Sequence, residues 1–257
     1  MIKISKAFEN KKAFIAYLMG GDPCLSKTGE YILAMQDAGA DLVEIGIPFS
    51  DPIAEGEVIQ RANLRALNQG VTLDRIFDML MEIKSKITIP LVFLTYLNPV
   101  LHYGPGAFFK RCRDSGVSGI IVPDMPFEEQ GELAAYAEKF EVEIITLVAP
   151  TSHERIDKIA SSAKGFIYLV SSMGTTGVRS KITTDITKIV SRIRKASDIP
   201  VAVGFGIATR QQAAECARAS DGAIVGSAIV KIIEEYGDNA AKPLYDYVKD
   251  MKAGVGC

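Results

Sequence analysis

The 257-residue chain is poor in several side chains on which much enzymology depends. Its two histidines, His102 and His153, lie far apart and form no HxxxH or His/carboxylate group with metal-ligand spacing, so metal catalysis is not expected and both read as surface polar residues. Cys24, Cys112, Cys216 and Cys257 are scattered without a CxxC pair, and the opening MIKISKAFENKK lacks the apolar stretch of a secretory signal. A reducing, cytoplasmic setting is expected. The longest strongly apolar run, around residues 89–97, is interrupted by Pro90 and Thr95 and falls far short of the roughly 18 residues of a membrane helix. With 29 Lys+Arg against 31 Asp+Glu and no basic tract or acidic tail, nucleic acid and anionic membrane have no electrostatic handle. There is no GxSxG elbow, no cysteine with a plausible histidine partner, no GxGxxG fingerprint and no phosphate loop of the GxxxxGKS type. No predicted strand ends in a lysine, which removes the nucleophile of a Schiff-base aldolase.

What the chain does have is repetition. Eight short apolar, β-branched runs (AFIAYLM, DLVEIGI, PLVFLTYL, GIIVPD, EIITLVA, GFIYLVS, PVAVGF and GAIVGSA) are each followed by a stretch with helical spacing. Near-continuous apolar strands suit a parallel sheet covered on both faces. In TTDITKIVSRIRKAS, Ile186, Ile189, Val190 and Ile193 share one face, Lys188, Arg192 and Arg194 the other, and Thr184 or Asp185 caps the start. Residues 75–87 and 239–251 behave alike. Strand starts recur at roughly 22 to 35 residues, the period of a (β/α)8 barrel, and about 250 residues is an ordinary length for one such domain. The fold class expected is therefore an α/β, single-domain TIM barrel over residues 1–257. One interval, between the second and third strands, is longer, at about 49 residues. It begins with the loop IPFSDPIAEGEVIQ and adds a short helix near residues 61–68. An N-terminal helix near residues 4–10, with Ile4 and Phe8 apolar, is expected to plug the opposite mouth.

Glu44 is the most informative residue. Along DLVEIGI, alternation turns Val43, Ile45 and Ile47 toward the helices and leaves Leu42, Glu44 and Gly46 facing the barrel interior. A carboxyl held among apolar neighbours without a cation has its pKa raised, which suits a group that gives and takes a proton near neutrality. The long loop after this strand carries Asp51, Glu55 and Glu57, any of which can be a second carboxylate if it folds over the mouth. SSMGTTGVRSK reads as a glycine-hinged lid. GFGIAT and GSAIVK, after the seventh and eighth strands, stand where barrels bind phosphate through backbone N–H groups and a helix N-terminus. Tyr17, Leu94, Tyr96, Ile121, Tyr168 and Phe205, near strand C-termini, either wall an apolar pocket for a flat ring or belong to the core. In YLNPVLHYGPGAFF, Leu97, Pro99, Val100 and Leu101 cluster in what reads as an exposed loop, a candidate docking surface. Carboxylate acid–base chemistry on a phosphorylated small molecule is the reaction class these residues leave.

GGDP at 20–23, EIGIPFSDP at 44–52, GEVIQRANLRAL at 56–67, PDMPFEE at 123–129, LVAPTS at 147–152, YLVSSMGTTGVR at 168–179, GFGI at 204–207 and GSAIVKIIE at 226–234 are the motifs by which the chain resembles the tryptophan synthase alpha subunit family. The resemblance runs over nearly the whole length. It implies a (β/α)8 barrel that cleaves indole-3-glycerol phosphate to indole and glyceraldehyde 3-phosphate. It implies no cofactor or metal in this subunit, and a partner beta subunit, carrying pyridoxal phosphate, in an alpha2-beta2 complex. By position, Glu44 matches the family's acid–base residue, and Glu55 stands where the family usually has Asp to accept a hydrogen bond from the ring N–H. Tyr168 matches a pocket tyrosine, Thr176 a lid threonine, and Gly177, Phe205, Gly206, Gly226 and Ser227 substrate or phosphate positions. The resemblance also places the beta-subunit contact at the 97–101 region, the loop around residues 48–52 and the PDMP turn. The departures cluster near the second carboxylate: AEGE replaces the usual ADGP, GTTG the usual GVTG, and Met19 a more typical Thr. Two competing expectations remain, a barrel isomerase acting on a phosphosugar and a lapsed subunit that only activates a partner.

Overall fold

The structure is a computed structural model that describes residues 1–170, 186–204 and 206–256. Eight strands form a closed, all-parallel barrel in sequence order: β1 (Ala13–Met19), β2 (Leu42–Gly46), β3 (Leu91–Leu94), β4 (Val117–Ile121), β5 (Glu143–Val148), β6 (Ile167–Val170), β7 (Val201–Gly204) and β8 (Gly222–Val225). Around it run α1 (Leu25–Asp37), α2 (Glu57–Asn68), α3 (Leu73–Ile83), α4 (Leu97–Tyr103), α5 (Pro105–Ser115), α6 (Gly131–Phe140), α7 (Ile156–Ser162), α8 (Ile186–Ala196), α9 (Arg210–Ala219), α10 (Ser227–Tyr236) and α11 (Ala241–Val255). This is the (β/α)8 architecture that the strand period predicts.

Strand alternation sorts the core into two shells. Ala13, Ile15, Leu42, Val92, Ile121, Ile145, Ala202 and Ile224 fill the barrel, while Phe14, Val43, Ile45, Phe93 and Ile120 pack outward against the helices. Ile4 and Ala7 join the inner shell. They lie on a single 3-10 turn, Ile4–Ala7, shorter than the helix expected over 4–10, and they close the N-terminal mouth. A Cβ on Gly119 of β4 would stand 2.7 Å from the Ile4 side chain, so the plug is seated where that strand has no side chain. The N-terminal end of the barrel is filled by apolar side chains, and a pocket opens at the C-terminal end.

Three local expectations are revised. The inserted helix α2 starts at Glu57, earlier than the 61–68 segment, because extended Gly56 caps it and Val58, Ile59, Ala62, Asn63 and Ala66 bury one continuous face. Likewise α3 starts at Leu73, where the Thr72 side chain accepts from the Arg75 N–H at 3.4 Å. The 97–101 segment is not an exposed loop but α4, and of its apolar side chains Val100 is fully buried, Leu97 partly buried and Leu101 alone well exposed. The suggested capping of α8 by Thr184 or Asp185 lies outside the described residues.

Candidate active site

Glu44 sits in the middle of β2, opposite Tyr17 of β1 and Val92 of β3. Its strand parity turns it inward, and it is 1% exposed. Among the described residues its Oε2 atom has no hydrogen-bond partner. Burial pushes its carboxyl up to about 8, with no cation among the described residues to oppose the shift. A neutral acid at pH 7, ionisable at modest cost, is the state that general acid–base chemistry asks for.

Glu44 lines a pocket at the C-terminal mouth together with Glu55, Tyr17, Tyr168, Gly206, Gly226 and Ser227. Two phenols shape it. The Tyr17 ring lies over Gly46, where a Cβ would be 2.9 Å from its Cζ, and the Tyr168 ring lies over Gly204, where a Cβ would be 2.6 Å from its Cζ. Glycine on the adjacent strand thus makes room for each ring. Two strands round the barrel from β2, Gly226 caps α10 after β8, and Gly226 and Ser227 at that helix N-terminus line the pocket. Gly206, at φ +85, holds a left-handed conformation that favours glycine and bends the chain after β7 into the same wall. A helix N-terminus of this kind attracts an anion.

Of the three loop acids, Glu55 alone folds over the mouth: it is 7% exposed, while Asp51 and Glu57 face solvent. Tyr96 explains why. Its hydroxyl donates to Glu55 Oε2 and accepts from the N–H groups of Ile53 and Ala54 at 3.1 and 2.9 Å. The Gln60 side chain donates to the Glu55 carbonyl at 2.9 Å, and Asn63 bonds both the N–H and the carbonyl of Phe49. The loop is therefore fastened to α2 and to the end of β3. Burial raises the Glu55 carboxyl and the Tyr96 hydrogen bond opposes that rise.

Tyr96 and Ile121 do not wall the pocket. Tyr96 stands behind the Glu55 loop as its clasp, and Ile121 is in the barrel core beneath. Ala54, Ile59, Pro123, Leu147 and Ile207, which no sequence motif singles out for the site, also line the cavity. Ile59 is legible as the inner face of α2, and Ile207 directly follows the GFG turn. Thr176, Gly177 and Phe205 lie outside the described residues, as does the lid segment containing the first two. His102 is exposed on α4. Among the described residues no three His, Cys, Asp or Glu side chains come together as a metal site.

A family profile described as "Tryptophan synthase alpha chain" matches residues 4–255. The chain belongs to the tryptophan synthase alpha chain family. It is 48% identical over 256 residues to the tryptophan synthase alpha chain of Lactiplantibacillus plantarum, an alignment covering 99% of this chain and 97% of the relative. It is 43% identical over 255 residues to that of Lacticaseibacillus casei, covering 99% and 96%. A structure of Mycobacterium tuberculosis tryptophan synthase superposes with a TM-score of 0.90 at 35% identity, covering 100% of this chain and 99% of the other. Tryptophan synthase subunit alpha from Legionella pneumophila superposes with a TM-score of 0.88 at 30% identity, covering 99% and 98%. The family match thus runs from the N-terminal plug to the last helix, enclosing every strand of the barrel.

Proposed function

We propose that this chain is a lyase catalysing the alpha reaction of L-tryptophan biosynthesis, the retro-aldol cleavage of indole-3-glycerol phosphate to indole and glyceraldehyde 3-phosphate. The observation that carries the reading is the Glu44 carboxyl, buried, its Oε2 without a hydrogen-bond partner among the described residues and its pKa raised to about 8, in the pocket that the N-terminus of α10 also lines.

The chemistry needs one proton delivered to the indole ring carbon that bears the glycerol chain and one removed from the adjacent side-chain hydroxyl. Neutral Glu44 gives the first, leaving the ring as an iminium and itself as a carboxylate. That carboxylate then takes the hydroxyl proton. The O–H electrons form the aldehyde C=O, the carbon–carbon bond breaks, its electrons return to the ring, and indole leaves with Glu44 reprotonated. Positive charge builds up at the ring nitrogen midway, and Glu55 is the carboxylate that accepts the N–H there. Tyr96 holds its Oε2, and a carboxylate can accept the ring N–H alongside that bond. The phosphate sits on the backbone of Gly226, Ser227 and Gly206, and Tyr168 bounds the ring. Thr176, Gly177 and Phe205 complete the substrate contacts by family position.

In this reading residues 1–257 form one domain, the subunit carries no cofactor of its own, and pyridoxal phosphate belongs to a beta subunit that it meets in an alpha2-beta2 complex. The contact face is the C-terminal end, where Ile53, 72% exposed, and Leu101, 48% exposed, present apolar side chains. The setting is cytoplasmic; among the described residues no helix is long and apolar enough to cross a membrane. Indole release from indole-3-glycerol phosphate by the purified chain, with and without a beta subunit, is the direct assay. Indole formed in step with glyceraldehyde 3-phosphate, and faster with the partner, supports the reading. No indole under either condition overturns it and favours the lapsed, partner-activating subunit.

A further inference from the structure

The pocket contains a second orphaned polar atom. Tyr17 is 5% exposed, and its hydroxyl, like Glu44 Oε2, is buried without a hydrogen-bond partner among the described residues. Buried hydroxyls are nearly always satisfied, and one left open in a ligand pocket marks a place where a ligand supplies the partner. Tyr17 stands directly across the β1–β2 ladder from Glu44. At its base the ring passes Gly226, where a Cβ would be 3.3 Å from Cδ1, and its hydroxyl end lies over Gly46. The phenol thus reaches from Gly226, at the head of α10, to Gly46, two residues beyond Glu44 on the same face of β2. Burial, then the carboxyls of Glu55 and Glu44, push this phenol well above its ordinary range, so it stays protonated and offers a donor.

We infer that Tyr17 is a specificity-determining residue whose hydroxyl hydrogen-bonds the glycerol hydroxyls of the substrate and sets the reacting one against Glu44. The inference rests on the function proposed above. It separates this site from one that recognises only an aromatic ring and a phosphate, because the hydroxyl-bearing linker is itself read. An unmet hydroxyl in a closed pocket is a larger loss than an absent one, which gives the contact its discriminating power.

The test compares the unaltered chain with Tyr17→Phe, both with the beta subunit, on two ligands: indole-3-glycerol phosphate and an indolyl-propyl phosphate lacking both hydroxyls. For the glycerol substrate, kcat/KM is expected to fall roughly tenfold or more in Tyr17→Phe. For the hydroxyl-free analogue, titration calorimetry is expected to give the same Kd within about twofold, since the ring is kept. Equal kcat/KM for the two proteins overturns the inference. So does an equal loss on both ligands, which would make Tyr17 a packing residue. If the unaltered chain cleaves nothing, the proposed function fails. Titration of both ligands then decides Tyr17 independently, a lost preference for the hydroxylated ligand in Tyr17→Phe upholding it and an unchanged preference overturning it.

Discussion

At the scale of single residues the molecule concentrates its chemistry in Glu44, and the cost of holding it there makes a stability prediction. The folded chain keeps a proton on this carboxyl up to about pH 8, whereas the unfolded chain releases it near the ordinary 4.5. Between those values the folded state binds more protons, so stability falls as pH rises through that window and is flat above it. Glu44→Gln removes the slope. The variant is expected to be more stable than the parent by roughly 2–5 kcal/mol at pH 9, and equal to it near pH 4, in denaturant melts. The same carboxyl sets the alkaline limb of activity: kcat/KM is expected to decline with a midpoint near pH 8, as the acid form is lost. Glu55 is judged by its shorter homologue. Asp at this position should preserve or raise the rate of indole release if the carboxylate meets the ring N–H, and a rate equal to that of Glu55→Ala removes it from the mechanism.

At the scale of elements the site depends on how α2 is pinned. Asp22, 1% exposed after β1, receives a two-pronged bond from Arg65 of α2, at 2.8 Å for both contacts. Arg65 also reaches Glu234 of α10 at 2.9 Å, and Arg61 grips the same carboxylate at 2.7 and 2.9 Å. The hydrogen bond from Arg61, with help from Arg65, holds Glu234 down to about 2. The helix that follows the Glu55 loop is thereby tied to the helix that heads the phosphate cradle. Arg65→Met would leave Asp22 as a buried, unpaired charge, and a loss of about 3–5 kcal/mol is expected in thermal or denaturant unfolding. Exposed pairs such as Lys242–Asp246 carry no comparable expectation. Tyr96→Phe tests the loop itself. It unties Glu55 and leaves the Ile53 and Ala54 N–H groups without their acceptor, so the rate without the beta subunit should fall several-fold and be partly restored by the partner.

At the scale of the whole molecule, the barrel and its acid were legible because they follow from a period. The interval of the apolar runs gave eight strands, and the two-residue alternation along DLVEIGI turned Glu44 inward. What escaped depends on contacts between distant residues. Tyr96 and Glu55 are 41 positions apart, and no local pattern says that a phenol will clasp a loop acid instead of walling the pocket. The seven residues of α4 are too few to show a helical period, which hid the burial of Val100. The proposed docking face was legible as apolar composition at 97–101; of those apolar side chains the fold leaves Leu101 well exposed, and Ile53 in the loop after β2 is exposed as well. Replacing either with Ser should weaken stimulation by the beta subunit while leaving the melting temperature of the isolated chain nearly unchanged.

Most of this turns on whether the buried carboxyl of β2 moves the protons. The decisive measurement is indole release by Glu44→Gln in the presence of the beta subunit, alongside calorimetric binding of the hydroxyl-free indolyl phosphate. Measurable turnover is expected to be lost, with the analogue still bound at close to the parental affinity. Turnover near the parental rate in Glu44→Gln would contradict it.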